Sequence, residues 1–141
     1  MSSEADRVTA EADITRLLHR YAHAVDRGDL DTVRSCYWDD GRDTHPEFSG
    51  TADEYVAWLR QVLPGVQRMT HQMTTVLVDV DADAGQATSL AYCLNMLITA
   101  ESRHTLQALR YTDHLARRGG EWRVLDRVVD RQWRLADLPP A

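Results

Sequence analysis

The sequence predicts an α+β fold, cone-shaped, with three N-terminal helices packed on a strongly curved, mostly antiparallel sheet. Three observations carry that expectation. Helical periodicity is confined to the segment that ends at Pro64-Gly65. Everything after it is rich in β-branched and aromatic residues, in long runs. Those runs are joined by Gly-containing turns too short to hold a crossover helix, so neighbouring strands should run antiparallel. With 141 residues, 43% of them hydrophobic and 27% charged, one globular domain over 1–141 is expected, with room for a real core.

The first helix is expected from about Glu11 to Arg27. Ile14, Leu18 and Ala22 form one i, i+4 row, and Leu17, Tyr21 and Val25 form the next. Gly28 follows as the left-handed stop. A short second helix begins at Asp29, a good N-cap, and ends near Tyr37. The stretch "DDGRDTHPEFSG", 39–50, has turn composition with room for a short strand. "TADEYVAWLRQVL" opens with the capping box Thr51-x-x-Glu54 and is the third helix. Four long strands follow: "QRMTHQMTTVLVDV", "QATSLAYCLNMLIT", "HTLQALRYTDHLARR" and "EWRVLDRVVDRQW". They read as a meander, and a sheet curling around helices leaves a pocket between the layers.

Composition excludes several kinds of function. A formal charge of −6 and a pI of about 5.4 argue against a nucleic-acid or anionic-membrane surface. No apolar run approaches membrane length and the start is polar and acidic, so a cytoplasmic protein is expected. Cys36 and Cys93 lie in no metal or redox spacing and should be reduced core residues. All 16 basic residues are arginine. Without a lysine, Schiff-base chemistry, pyridoxal phosphate attachment and a Walker-type phosphate loop are excluded.

One residue breaks the pattern of the first helix. The Ile14–Leu18–Ala22 row ends on Asp26, at the negative end of the helix dipole, where an acid typically costs a few tenths to about 1 kcal/mol. A second break lies in "MTHQMTTVL", where strand alternation puts His71 in a row with Met69, Met73, Thr75 and Leu77. Both residues should face the space between helices and sheet. A carboxylate accepting the imidazole N–H would fix the tautomer and stabilise the imidazolium, leaving the other ring nitrogen for acid–base work. The same residues also fit a satisfied core histidine and an aspartate that bonds turn amides. His19 and His23, with Asp26, have helical metal-ligand spacing, but they lie on the flank away from the apolar rows, and no metal is expected.

The segments "ITRLLHRYAHAVDRGDLDTVRSCY", "FSGTADEYVAWL", "RMTHQMTTVLVDVDAD" and "YTDHLARRGGEWRVLDRVVDRQW" resemble a SnoaL-like domain of the nuclear transport factor 2 superfamily. The resemblance covers nearly the whole chain. It is to the branch that includes scytalone dehydratase, hexachlorocyclohexane dehydrochlorinase and bile-acid dehydratase. It implies that Asp26 and His71 are a catalytic pair, and that Tyr21, five residues before Asp26, contacts substrate. It implies a last-strand arginine as well, best matched by Arg127, with Arg131 as the alternative. His45 falls near a pocket tyrosine of some dehydratases, and Asn95 lies nearest to a second active-site histidine; both would bind substrate.

The implied function is a cofactor-independent lyase. A dehydratase-type elimination would act on a small apolar, cyclic molecule, with a homodimer or homotrimer as the assembly. An isomerase or polyketide-type cyclase could use the same base. A non-catalytic ligand-binding or subunit module is the alternative of a different class.

Overall fold

The computed structural model describes residues 1–138. α1 runs Glu4–Asp26 and α2 Leu30–Ser35, followed by two short strands, β1 (Tyr37–His45) and β2 (Phe48–Thr51). α3 (Ala52–Val62) ends in a single 3-10 turn, Leu63–Gly65. Four long strands complete the chain: β3 (Val66–Asp81), β4 (Gln86–Thr99), β5 (His104–Arg118) and β6 (Glu121–Leu138).

Local chemistry sets the helix ends. α1 starts seven residues earlier than its apolar periodicity suggests, because Ser3 and Asp6 form a reciprocal capping box ahead of a polar first turn. Gly28, at φ 68°, lets the backbone N–H groups of Gly28 and Asp29 turn back onto the carbonyls of Val25 and Ala24. Asp29 and Thr51 cap α2 and α3 as expected. Segment 39–50, read as turns with one short strand, belongs instead to an antiparallel hairpin of β1 and β2, with His45 opposite Phe48. Buried Gly41 permits the irregularity in β1: a Cβ there would lie 2.8 Å from the Trp38 carbonyl oxygen.

The six strands form one sheet in the order β2-β1-β6-β5-β4-β3. All neighbours are antiparallel except β1 and β6, which run parallel. Three N-terminal helices on a curved, mostly antiparallel sheet make this the expected α+β cone. α1 lies across β3, with Ile14, Leu18, Tyr21 and Val25 buried in the core shared with Leu109, Tyr111, Leu115 and Val124.

β3 departs from simple alternation just past His71. A bulge between Met73 and Val76 leaves both Thr74 and Thr75 exposed, and the inward row continues through Val76, Val78 and Val80. Leu77, expected on the His71 face, is turned out and 59% exposed. The inserted residue reverses the pleat downstream of His71 and leaves Met69, His71 and Met73 facing inward.

Candidate active site

A cavity of about 230 Å³ opens between α3 and the concave face of the sheet. Its wall is mostly apolar, with Val25, Trp58, Leu59, Met69, Leu97 and Leu109 among the lining residues. Two imidazoles, His45 and His71, interrupt it, along with Asn95, Gln107, Tyr111 and Arg131. A largely apolar pocket with a few convergent polar groups is the usual form of a small-molecule site.

Asp26 grips His71 twice. Its Oδ1 lies 2.6 Å from His71 Nδ1, and its Oδ2 accepts from the His71 backbone N–H at 2.9 Å. The acid at the end of the apolar row thus has two partners on β3, which offset its unfavourable place at the helix C-terminus.

The far side of the ring is held by a chain of hydrogen bonds with a fixed direction. Arg131 can only donate, and its Nε reaches Gln107 Oε1 at 2.8 Å. Gln107 must then present its amide nitrogen to Asn95 Oδ1, at 2.8 Å. Asn95 in turn presents Nδ2 to Thr70 O and to His71 Nε2, both at 3.3 Å. A donor facing Nε2 requires a lone pair there. The neutral His71 therefore carries its proton on Nδ1, toward Asp26, and keeps a lone pair on Nε2, where Asn95 donates.

Beneath the wall lies a buried polar cluster. Arg127 is fully buried and bidentate to Asp113, with both N–O distances 2.7 Å, and its guanidinium carbon sits 4.2 Å from the Tyr21 ring centre. Burial works against the Arg127 charge, but Asp113 and the phenol of Tyr37 outweigh it and hold the side chain above the ordinary arginine range. Tyr37 donates to Asp43 Oδ2 at 2.6 Å, and Asp43 Oδ1 meets His45 Nδ1 at 2.5 Å. Tyr21 and Tyr55 share a 2.5 Å hydrogen bond between hydroxyls. Burial pushes the hydroxyls of Tyr21, Tyr37, Tyr55 and Tyr111 well above the usual tyrosine range, so all four stay protonated. Burial likewise pushes the Cys93 thiol up to about 12 and raises Cys36, so neither supplies a thiolate at neutral pH.

A family model described as a SnoaL-like domain matches residues 6–128. This chain belongs to the SnoaL-like family. The SnoaL-like chain also resembles solved structures. A hexachlorocyclohexane dehydrochlorinase, LinA type 2, superposes with a TM-score of 0.87 at 22% identity, over 95% of this chain and 93% of the other. LinA type 3 from Novosphingobium barchaimii LL02 gives 0.86 at 21% identity, over 98% and 100%. A candidate scytalone dehydratase from Novosphingobium aromaticivorans DSM 12444 gives 0.87 at 15%, over 99% and 94%. No curated protein matches the chain by sequence.

In this SnoaL-like domain, His71, Asn95 and His45 line the cavity, and Asp26 stands directly behind His71. Tyr21 and Arg127, expected to touch substrate, do not line it. Tyr21 reaches the wall only through Tyr55, and Arg127 is consumed by Asp113 beneath it. Two other last-strand arginines line the cavity, Arg131, four residues further on and paired with Glu47, and the exposed Arg134. His19 and His23 are exposed on the outer flank of α1.

Sequence reasoning missed Asp43, Gln107 and Tyr111. Each had a signal. Asp43-x-His45 places an acid and an imidazole on one strand face. Thr105, Gln107, Tyr111 and Asp113 put polar groups into the inward row of β5, beside Leu109 and Leu115.

Proposed function

We propose that this chain is a cofactor-independent lyase that removes water from a small, apolar, cyclic carbonyl compound, with His71 as the base. The observation that carries the reading is the enforced tautomer of His71. Its Nε2 lone pair, held by one long 3.3 Å hydrogen bond from Asn95, belongs to a side chain that lines a largely apolar cavity, while Asp26 stands ready to stabilise the imidazolium that forms. Proton abstraction beside a carbonyl needs that group first, and then a donor for the developing oxyanion. Tyr111 supports the second role: it lines the cavity, and its hydroxyl has no partner among the described residues. The similar solved structures carry names that describe loss of hydrogen chloride and of water, both eliminations. Two buried free cysteines agree with a reducing, cytoplasmic setting.

The test is deuterium wash-in at the α-carbon of cyclohexanone-type ketones in D2O, followed by NMR. Wild-type protein should accelerate exchange and His71→Ala should not. Ketone binding without exchange would favour a ligand-binding module instead.

A further inference from the structure

Resting on the reading of His71 as the base, we propose that His45, held by Asp43, is a second proton-transferring group of the same cavity. It is the general acid that protonates the departing hydroxyl.

Charge balance carries the assignment. Asp43, Asp113 and Arg127 are all fully buried. The bidentate Arg127–Asp113 pair closes at zero net charge. Of the other charged side chains lining the cavity, Arg131 and Glu47 pair with each other, and Arg134 is exposed to solvent. Asp43 is left over. Tyr37 accepts from Arg127 Nη1 at 3.3 Å, so its own proton points to Asp43 Oδ2 and brings no charge. A buried carboxylate without a compensating proton or cation is strongly disfavoured, and His45 is the group in contact with it. The Asp43–His45 unit is therefore neutral as a whole. It holds two protons, one between Oδ1 and Nδ1 and one on Nε2. Wherever the shared proton sits, Nε2 carries the other.

Packing agrees with that state. The His45 ring stacks on Tyr55 at 5.0 Å between centres and 17° between planes, a good seat for an imidazolium. Nε2 has no protein partner among the described residues, and the side chain lines the cavity. β1 and β3 are separated in the sheet by β6, β5 and β4, so His45 and His71 enter the cavity from different flanks of the curved wall. One imidazole presents a lone pair and the other a proton, the division of labour an elimination needs.

In the step, His71 Nε2 takes the α-proton of a β-hydroxy carbonyl compound. The C–H electron pair becomes the new C=C bond, the C–O bond breaks, and the His45 Nε2 proton joins the leaving oxygen to give water. His71 ends as imidazolium and the Asp43–His45 unit one proton short; transfer from His71 through solvent restores both. The acid defines the substrate class. Hydroxide is a poor leaving group and needs that proton, whereas halide or carboxylate does not.

Imidazole nitrogen NMR on the intact protein tests the proton inventory without a substrate, with signals assigned by their loss in His45→Gln and His71→Gln. At neutral pH, His45 Nε2 should be protonated and His71 Nε2 bare. Asp43→Asn should strip the His45 Nδ1 proton and keep the one on Nε2, because Tyr37 donates to the amide oxygen and turns the NH2 toward Nδ1. A bare His45 Nε2 in the wild type overturns the proposal. Turnover of β-hydroxycyclohexanone and β-acetoxycyclohexanone then separates the roles. His45→Gln should lower the hydroxy-to-acetoxy rate ratio by roughly 10²-fold or more, and an unchanged ratio overturns the acid role. Failure of the base reading looks different: His71→Ala would still eliminate acetate at the wild-type rate.

Discussion

Asn95 donates to His71 on the side opposite Asp26, its Nδ2 lying 3.3 Å from Nε2. The direction of that bond is set two residues away, by Arg131 acting on Gln107. Gln107→Glu should reverse it. A glutamate still accepts from Arg131 but cannot donate to Asn95, whose amide would flip and turn its oxygen toward His71. Nε2 would then be protonated while Asp26 still accepts at Nδ1, so the ring would sit as imidazolium and the base would be lost. Exchange activity should fall roughly 10- to 100-fold, the usual scale for supporting partners. Imidazole NMR should show His71 Nε2 protonated; a bare Nε2 would refute the directed chain.

Asp26→Asn removes the acceptor for Nδ1–H while keeping the side-chain shape. Wrong-tautomer substitutions of this kind typically lose about 10⁴ in rate. His71→Ala should abolish α-proton exchange, because the reacting atom is gone. Both variants should keep a native far-UV circular dichroism spectrum, since neither residue belongs to the apolar core. His19→Ala and His23→Ala should match the wild type, both being exposed away from the cavity. Loss of exchange in either would place the chemistry elsewhere.

Arg127→Met should cost stability. It leaves Asp113, itself fully buried, as an unpaired charge, a loss of about 3–5 kcal/mol. Adding Asp113→Leu removes that charge and should recover most of the loss. Urea unfolding of the wild type, the single variant and the double variant measures both changes. If the double variant is no better than the single, the pair is not an isolated electrostatic unit, and Arg127 acts chiefly through its contacts with Tyr21 and Tyr111.

Alkaline pH should unfold the protein cooperatively. Burial raises the hydroxyls of Tyr21, Tyr37, Tyr55 and Tyr111 above their unfolded value of 10.0. Below that value both states bind the phenolic protons, and the stabilisation is fully present. As pH rises past it, only the unfolded chain releases them, so stability falls toward the folded-state values. Near-ultraviolet phenolate absorbance should rise with loss of secondary structure. Ionisation of these four groups in a still-folded chain would contradict their burial.

The architecture was legible because its signals are local. The Thr51–Glu54 capping box, the Gly28 stop and the β-branched runs after Pro64-Gly65 report on residues close in sequence, and the runs placed every long strand. The Asp26–His71 pair was legible for a related reason: each residue breaks an apolar row at its end or middle, so each betrays the face it occupies. What stayed hidden depends on partners far apart in the chain. Nothing near Arg127 or Arg131 tells which one Asp113 will bury, because a bulge in β6 and the β5 register decide it. Alternation through Leu77 failed for the same reason, since no residue type announces the bulge at Thr74–Thr75. The parallel β1–β6 contact joins segments more than half a chain length apart, beyond the reach of any turn signal.

The outer face of the sheet leads to the final expectation, that the chain self-associates. Tyr92, Leu94 and Met96 on β4 and Trp133 and Leu135 on β6 are each at least 38% exposed. Register makes them neighbours: Leu94 pairs with Ala108, which pairs with Trp133, and Met96 pairs with Leu106, which pairs with Leu135. A contiguous apolar patch of this kind is rarely left open on a monomer. We propose that a second copy of the chain covers it, in a dimer or trimer with closed symmetry. Sedimentation should give an oligomer at micromolar concentration. Leu94→Glu with Met96→Lys, which sets two charges in the patch and adds none overall, should shift it toward monomer while leaving the circular dichroism spectrum unchanged. A wild-type protein that sediments as a single 16.1 kDa species would overturn the assignment.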